Sequence, residues 1–375
     1  AQFVLARSYG FASWPKLRQH LATLVVPPEP ASPRSFVLTA ENRSHARPGW
    51  ADEEDIRRCA GVDPEAGEWR PLLTVHHNGV TVIAFATAAG PRFCELTPTT
   101  ITLSRPGDVP PPAGQATLTF HTVSGSMAGV VAPGVTSLSL ERPTDLLARE
   151  HVVIADGIFV VPNAFTVTPT GLVFRVNHNR TGDIVAADAL PDRAAGVVDR
   201  PAPAADRESP AGRRLAAAIA AADAPPVVDP AQWVPGVYLE LTDAEPVQLG
   251  RYGNLLGWYT PHREDGLFVF EFGPRQCPPG DFAVAGETIA ATRFYYDFRD
   301  GSSGTVAVVG LVSDDRVASI TLSRSGKPDA EAALRAGTFV IPAMIGLSET
   351  SSGTHLTARD AAGNVLERLP YRQTS

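Results

Sequence analysis

Two near-identical words carry the sharpest local chemistry, Gly90-Pro91-Arg92-Phe93-Cys94 and Gly273-Pro274-Arg275-Gln276-Cys277. A guanidinium beside a thiol lowers its pKa, so Arg92 and Arg275 would make thiolates of Cys94 and Cys277. The competing reading is structural: Gly-Pro is a turn, the Arg a partner for a carboxylate, and the Cys a small buried hydrophobe. It is favoured, because no His recurs in both copies to act as base. His76-His77-Asn78-Gly79 marks a hairpin, with partly exposed histidines on a strand and Asn78-Gly79 at the turn. Adjacent strand residues point to opposite faces, so the pair cannot bind one metal without a bend. His121, on a later strand, is placed to approach one of them.

Aromatic residues concentrate in the second half, among them Trp258, Tyr259, Phe294, Tyr295, Tyr296 and Phe298. Strand alternation over Phe294 to Phe298 sends Tyr295 to one face and its neighbours to the other. Trp258, Tyr259, Tyr295, Arg92 and Arg275 are therefore the candidate contacts for a ligand or partner. The acidic run Asp52 to Asp55 suits the first turn of a short helix. Phosphate-cradling, dinucleotide-binding, calcium-loop and nucleophile-elbow patterns are missing, as are CxxC and Cys/His zinc spacings. No catalytic residue, metal ligand or cofactor is assigned.

The elements that must hold these residues are repeated. The Gly-Pro-Arg-x-Cys word recurs after 183 residues, from 90 to 273. Val135 to Leu140 returns as Val317 to Leu322, Asp156 to Pro162 as Ala336 to Pro342, and Gly182 as Gly363, at offsets of 182, 180 and 181. Short apolar runs between Gly, Pro, Asn and Asp give the texture of antiparallel β structure: Leu72 to Val75, Val80 to Ala86, Ala116 to Phe120, Ile158 to Val161. The expected fold is mainly β, two homologous antiparallel β-sandwich or barrel-like domains in tandem. Their spans are 50–194 and 232–375, with a linker over 195–231 whose helix runs around Ala211 to Ala222. Phe159, Val161, Phe339 and Ile341 belong in the core, on one face of their strands. A helical hairpin precedes them over 1–24, with Ser13 as cap and Pro15 in the first turn of its second helix, and a Pro-rich linker follows over 25–49.

The words from Leu5 to Leu17 resemble a helical leader found ahead of ankyrin repeats in actinobacterial proteins, although no ankyrin pattern follows. The tandem words Gly129-Val130-Val131 and Gly310-Leu311-Val312, with the Asp360 to Asn364 turn, are similar to a class of actinobacterial proteins built of tandem β domains. That resemblance implies fold and source, and no activity.

Composition bounds the rest. The 375 residues carry 32 basic and 40 acidic side chains, a net charge of −8, which argues against nucleic acid or an anionic membrane as the main partner. Only Lys16 and Lys327 are lysines, the mark of a GC-rich genome. No apolar run reaches membrane-spanning length and no signal-peptide pattern is visible, while Ala1 opens mid-helix, as in a trimmed chain. Three cysteines, Cys59, Cys94 and Cys277, allow one internal disulfide at most and favour the cytoplasm. The leading expectation is a non-enzymatic protein that binds a protein partner or small ligand. The alternatives are a hydrolase with a site between the repeats, using His76, His121, Asp297 or Cys94, and a regulator contacting DNA or a transcription factor through the N-terminal helices.

Overall fold

A computed structural model describes residues 45–63, 67–77, 79–105, 115–142, 145–162, 173–176, 183–184, 191–203, 207–221, 227–240, 246–259, 268–272, 284–297, 303–345 and 353–371. The helical hairpin expected over 1–24 lies outside them. Strand β1 (His45–Pro48) falls within the stretch expected to be linker. Helix α1 (Glu53–Val62) follows, where the acidic run is. Asp52 caps it by accepting the Glu54 amide at 3.0 Å, and Glu53, Glu54 and Asp55 occupy the turn in which negative charge offsets the helix dipole.

Next come β2 (Arg70–His77), β3 (Val80–Thr87), β4 (Gly90–Leu96) and β5 (Thr100–Leu103), an antiparallel meander. Eight strands then divide between two sheets in alternating pairs. They are β6 (Ala116–His121), β7 (Met127–Val131), β8 (Leu138–Arg142), β9 (Asp145–His151), β10 (Val153–Ala155), β11 (Ile158–Val161), β12 (Val173–Val176) and β13 (Asp183–Ile184). One sheet has the order β10-β11-β7-β6, the other β13-β12-β8-β9. β14 (Gly196–Val198) returns to the meander beside β5, so that sheet runs β1-β2-β3-β4-β5-β14.

Helix α2 (Pro210–Ala221), expected from the sequence, leads into a second meander of β15 (Val234–Leu239), β16 (Val247–Tyr252), β17 (Leu255–Tyr259) and β18 (Phe268–Glu271). The remaining strands are β19 (Val284–Ala285), β20 (Ile289–Asp297), β21 (Ser303–Val312), β22 (Ser319–Ser323), β23 (Ala330–Glu331), β24 (Ala333–Arg335), β25 (Thr338–Ile345), β26 (His355–Arg359) and β27 (Val365–Pro370). Their sheets are ordered β24-β25-β21-β20-β19 and β27-β26-β22-β23. The interleaved order of the first half therefore returns, with β19 added at the edge of the middle sheet.

The likeness extends to single residues. Asp156-Gly157 and Ala336-Gly337 turn the β10–β11 and β24–β25 hairpins, and all four have positive φ, at 49°, 73°, 48° and 69°. Turns of this hand match the twist of the strands they join, which keeps even Ala336 in the left-handed region. Gly129 and Gly310 lie against the rings of Phe159 and Phe339, where a Cβ would stand 2.8 and 2.5 Å from ring carbons. Each glycine leaves the space that its aromatic partner fills.

Phe159 and Val161 enter one core with Met127, Leu140 and Phe174, and Phe339 and Ile341 enter one with Ile320, Leu322 and Leu356. Val160 and Val340, which point the other way, are also fully buried. Val160 packs with Leu73, Val75 and Val82 of the first meander, and Val340 with Val247 and Leu249 of the second. The middle sheet of each half is thus covered on both faces, by a meander and by an outer sheet. The continuously apolar Ile158 to Val161 reports this double burial, and a third layer is added to the expected sandwich.

Helix α1 closes the outer face of the first meander, packing Cys59 with Ile83, Phe85, Cys94 and Leu96. There Cys59 and Cys94 form a disulfide with Cα atoms 6.1 Å apart. Cys94 is therefore neither a thiolate nor a free buried thiol; the helix laid across β4 supplies its partner. Closing a loop of 35 residues is worth about 3–4 kcal/mol in the chain-entropy account. We predict that alkylation without reduction leaves Cys59 and Cys94 unlabelled, and that Cys59→Ser with Cys94→Ser lowers the unfolding free energy by about that amount in urea. Gly310→Ala, which overpacks Phe339, should cost about 1–3 kcal/mol in the same assay.

Candidate functional site

Among the described residues, a dense polar cluster is organised by β4 and the turn after it. Phe93 and Glu95 face the middle sheet, while Cys94 and Leu96 face α1. Glu95 is 2% exposed, with Val82 and Thr102 as its cross-strand neighbours. Its carboxyl meets the β6–β7 turn: Thr122 Oγ1 donates to Oε2 at 2.8 Å, Ser124 Oγ bonds the same oxygen, and the two hydroxyls are 2.9 Å apart. Burial pushes the Glu95 carboxyl above its usual range. The hydroxyls of Ser124, Ser126 and Thr122 oppose that rise, and the negative charge of Asp229 adds to it.

Asp229 reaches the cluster from the segment ahead of β15. Its backbone is left-handed, with φ of 42°, and its side chain is aimed at the β4–β5 turn. One carboxylate oxygen accepts from Thr99 Oγ1 at 2.9 Å, from Thr97 Oγ1 and from the Tyr252 hydroxyl. Tyr252, at the end of β16, also lies 2.7 Å from Thr99 Oγ1 and 2.9 Å from Thr97 Oγ1, and accepts the Thr99 amide at 3.2 Å. Burial first, and then the Asp229 carboxylate, hold its hydroxyl above the ordinary tyrosine range. The cluster joins the two halves of the chain.

Apolar contacts flank this polar joint. Tyr252 and Leu255 share a core with Leu73, Val80 and Phe93 of the first half and with Leu215 of α2 and Trp233. Gly79 abuts Leu255, and Gly253 abuts Pro98, with side-chain carbons 2.7 and 2.9 Å from the position a Cβ would take. Arg58 of α1 secures the same turn from the other side, donating to Thr97 O at 3.1 Å and pairing with Asp199 at 2.8 Å.

The residues singled out from sequence fall elsewhere. Arg92 is 6% exposed and pairs with Asp63 at 2.6 Å, the carboxylate role anticipated for it, with its guanidinium 6.0 Å from the Trp69 ring. Trp258 and Tyr259 are half-buried on β17, Trp258 against the core of the second meander. Tyr295 is on β20 opposite Thr305, where a register shift after Phe294 interrupts the expected alternation, and its side chain is outside the described residues, as is Arg275.

His76 and His77 alternate along β2, yet both are buried rather than partly exposed, in a strand flanked by β1 and β3 and packed against β10 and β11 of the middle sheet. His76 Nδ1 lies 2.8 Å from Thr81 Oγ1. His121 pairs across strands with Met127, which packs in the core beyond the middle sheet. Its imidazole is held toward the neutral form by burial and by Arg193, against a bond to the Pro191 backbone. His76 and Cys94 share the first meander but are two strands apart, on β2 and β4, with Cys94 held in the disulfide, while His121 lies in the middle sheet, so the three do not converge; Asp297 ends β20, its side chain outside the described residues. Among the described residues no three His, Cys, Asp or Glu side chains are grouped to hold a metal ion.

Sequence reasoning passed over Glu95, Asp229, Tyr252 and their hydroxyl partners. The available signal was a charged residue inside the apolar strand Phe93 to Leu96, followed by Thr97-Pro98-Thr99-Thr100. We predict that Tyr252→Phe lowers the unfolding free energy by about 1–3 kcal/mol in urea, the usual cost of leaving a buried partner short of a bond. Asp229→Ala should cost more, because its three donors lose their acceptor together.

No protein-family model matches the chain, and no curated protein matches it. Among solved structures, "Dihydro-heme d1 dehydrogenase NirN in complex with DHE" aligns at 12% identity over 83% of this chain and 65% of that one, with a TM-score of 0.13. At that score the alignment carries no argument.

Proposed function

We propose that this chain is a non-enzymatic binding protein in which two like β units, over about 50–194 and 232–375, act as one rigid body that presents surfaces to a protein partner or small ligand. The observation that carries this reading is the use made of the perturbed groups. Asp229 takes donors from the first half through Thr97 and Thr99 and from the second through Tyr252, so this polar cluster serves to join the halves.

Contact residues then lie outside the joint. Trp258 and Tyr259 keep part of their rings exposed, and Trp50 is 43% exposed with the Arg47 guanidinium 4.6 Å above its ring, an arrangement suited to amphipathic ligands. The Cys59–Cys94 disulfide supports an oxidising compartment in place of the cytoplasm expected from sparse cysteine. No helix among the described residues is long and apolar enough to cross a membrane.

Native mass spectrometry of the full chain, purified without tags or chelators from its own host, tests the reading together with a panel of chromogenic ester, glycoside and phosphate substrates. The expected result is a retained ligand or partner of fixed stoichiometry, displaced by Trp50→Ala or Tyr259→Ala, with background turnover. Turnover that Asp229→Asn or Tyr252→Phe abolishes, in protein that remains folded, would overturn it in favour of a hydrolase at the joint.

A further inference from the structure

The outer sheet of the second half, ordered β27-β26-β22-β23, packs one face inward through Ile320, Leu322, Leu356 and Ala358. Alternation turns the residues between them the other way. The outward face therefore carries Ser319, Thr321 and Ser323 from β22 and His355, Thr357 and Arg359 from β26. The registers set Arg359 opposite Ser319, and Arg368 of β27 opposite Thr357, so the two arginines are diagonal neighbours on adjacent strands. Both arginines are exposed, and the three β22 residues are half-buried.

Each guanidinium is held by a neutral acceptor. Arg359 Nη1 donates to Gly363 O at 2.9 Å, and Arg368 Nη2 donates to His355 Nε2 at 2.6 Å. The other imidazole nitrogen, Nδ1, lies 3.0 Å from Gly353 O, a contact that assigns it the proton and leaves Nε2 as the acceptor. Among the described residues neither arginine meets a carboxylate. Asp360, next in sequence to Arg359, accepts the amides of Ala362 at 2.9 Å and Asn364 at 2.8 Å within its own turn, and Asp314 pairs with Arg316 at 2.6 Å. The corresponding face of the first half is neutralised instead. There Arg175 of β12 stands opposite Ser139, as Thr357 stands opposite Thr321, and its guanidinium pairs with Glu141.

We propose that the outward face of the β27-β26-β22-β23 sheet binds an acidic polysaccharide, with Arg359 and Arg368 holding its carboxylate or sulfate groups and the hydroxyls of Ser319, Thr321 and Ser323 meeting its own.

The charge and the lining of the face both favour that chemistry. An arginine pinned by a neutral acceptor keeps its full charge, is positioned in advance, and retains N–H donors in the fork that matches an oxyanion. Around the arginines stand Ser, Thr and His rather than the aromatic anchors on which peptide partners depend. Glu331 of β23, exposed and opposite Thr321, adds an acceptor for sugar hydroxyls at the far edge. The net charge of −8 opposes a long nucleic acid and leaves a local pair of cations to act at short range. This face is separate from the Trp50 and Tyr259 contacts, and it stands or falls independently of them.

Isothermal titration calorimetry of the full chain in low-salt buffer, with oligogalacturonate, dextran sulfate and neutral dextran as probes, tests the proposal. Saturable binding of an anionic probe is expected, weakened by salt, with none of neutral dextran; the probe that binds separates carboxylate from sulfate. Arg359→Ala and Arg368→Ala should each weaken binding about tenfold, the scale of one lost charged hydrogen bond. Ser319→Glu, which sets a carboxylate opposite Arg359 much as Glu141 stands beside Arg175, should weaken it similarly, and Arg175→Gln should leave it unchanged. Urea midpoints matching wild type confirm that these exposed substitutions act on the site and not on the fold. No binding of either anionic probe, equal binding of neutral dextran, or binding retained in the double variant Arg359→Ala with Arg368→Ala would each overturn the proposal. Tighter binding of poly-glutamate than of both glycans would overturn it in favour of an acidic protein.

Discussion

One carboxylate oxygen, on Asp229, collects the hydroxyls of Thr97, Thr99 and Tyr252, and the arrangement of the two halves depends on it. Asp229 is half-buried, and a carboxylate partly withdrawn from water is stabilised by the donors that meet it. Here the donors come from a hairpin tip in the first half and a strand end in the second, so moving either half leaves charge and hydroxyls unpaired. The left-handed backbone of Asp229 sets the direction of the side chain, and Pro98 against Gly253 sets how closely the hairpins approach. The apolar core around Leu73, Val80, Tyr252 and Leu255 then closes beside the polar contact.

Around this joint each half is built in the same way. A meander, a middle sheet and an outer sheet stack in that order, and the strands of the last two interleave along the chain. The interleaving means that neither sheet can finish before the other has begun. Small residues, Gly129 against Phe159 and Gly310 against Phe339, leave the room that the aromatic rings occupy. Strand β4 links these levels within a few residues: Cys94 to α1, Glu95 to the middle sheet, and Thr97 to the second half.

Much of this architecture was legible in the sequence. The mainly β character, the linker helix, the recurring Asp156-Gly157 and Ala336-Gly337 turns and the inward-facing Phe159 and Phe339 all follow from apolar spacing and turn chemistry, which act locally. The third layer was missed because alternation assigns only Phe159, Val161, Phe339 and Ile341 to the core; the unbroken apolar run through Val160 and Val340 was its signal, and which element covers each face is a tertiary fact. The Cys59–Cys94 bond was hidden for a related reason: it depends on where α1 lies across β4, a tertiary fact. Asp229 and Tyr252 read as an ordinary linker acid and an ordinary core aromatic, because the Thr97 and Thr99 they meet are more than a hundred residues away.

Native-state hydrogen exchange in rising urea, followed by mass spectrometry, asks most directly whether the two halves are one body. The account predicts that the peptides spanning β2–β5 and β16–β17 lose protection together, at one denaturant concentration and with one slope. Separate transitions for the two meanders, unshifted by Asp229→Ala, would contradict it.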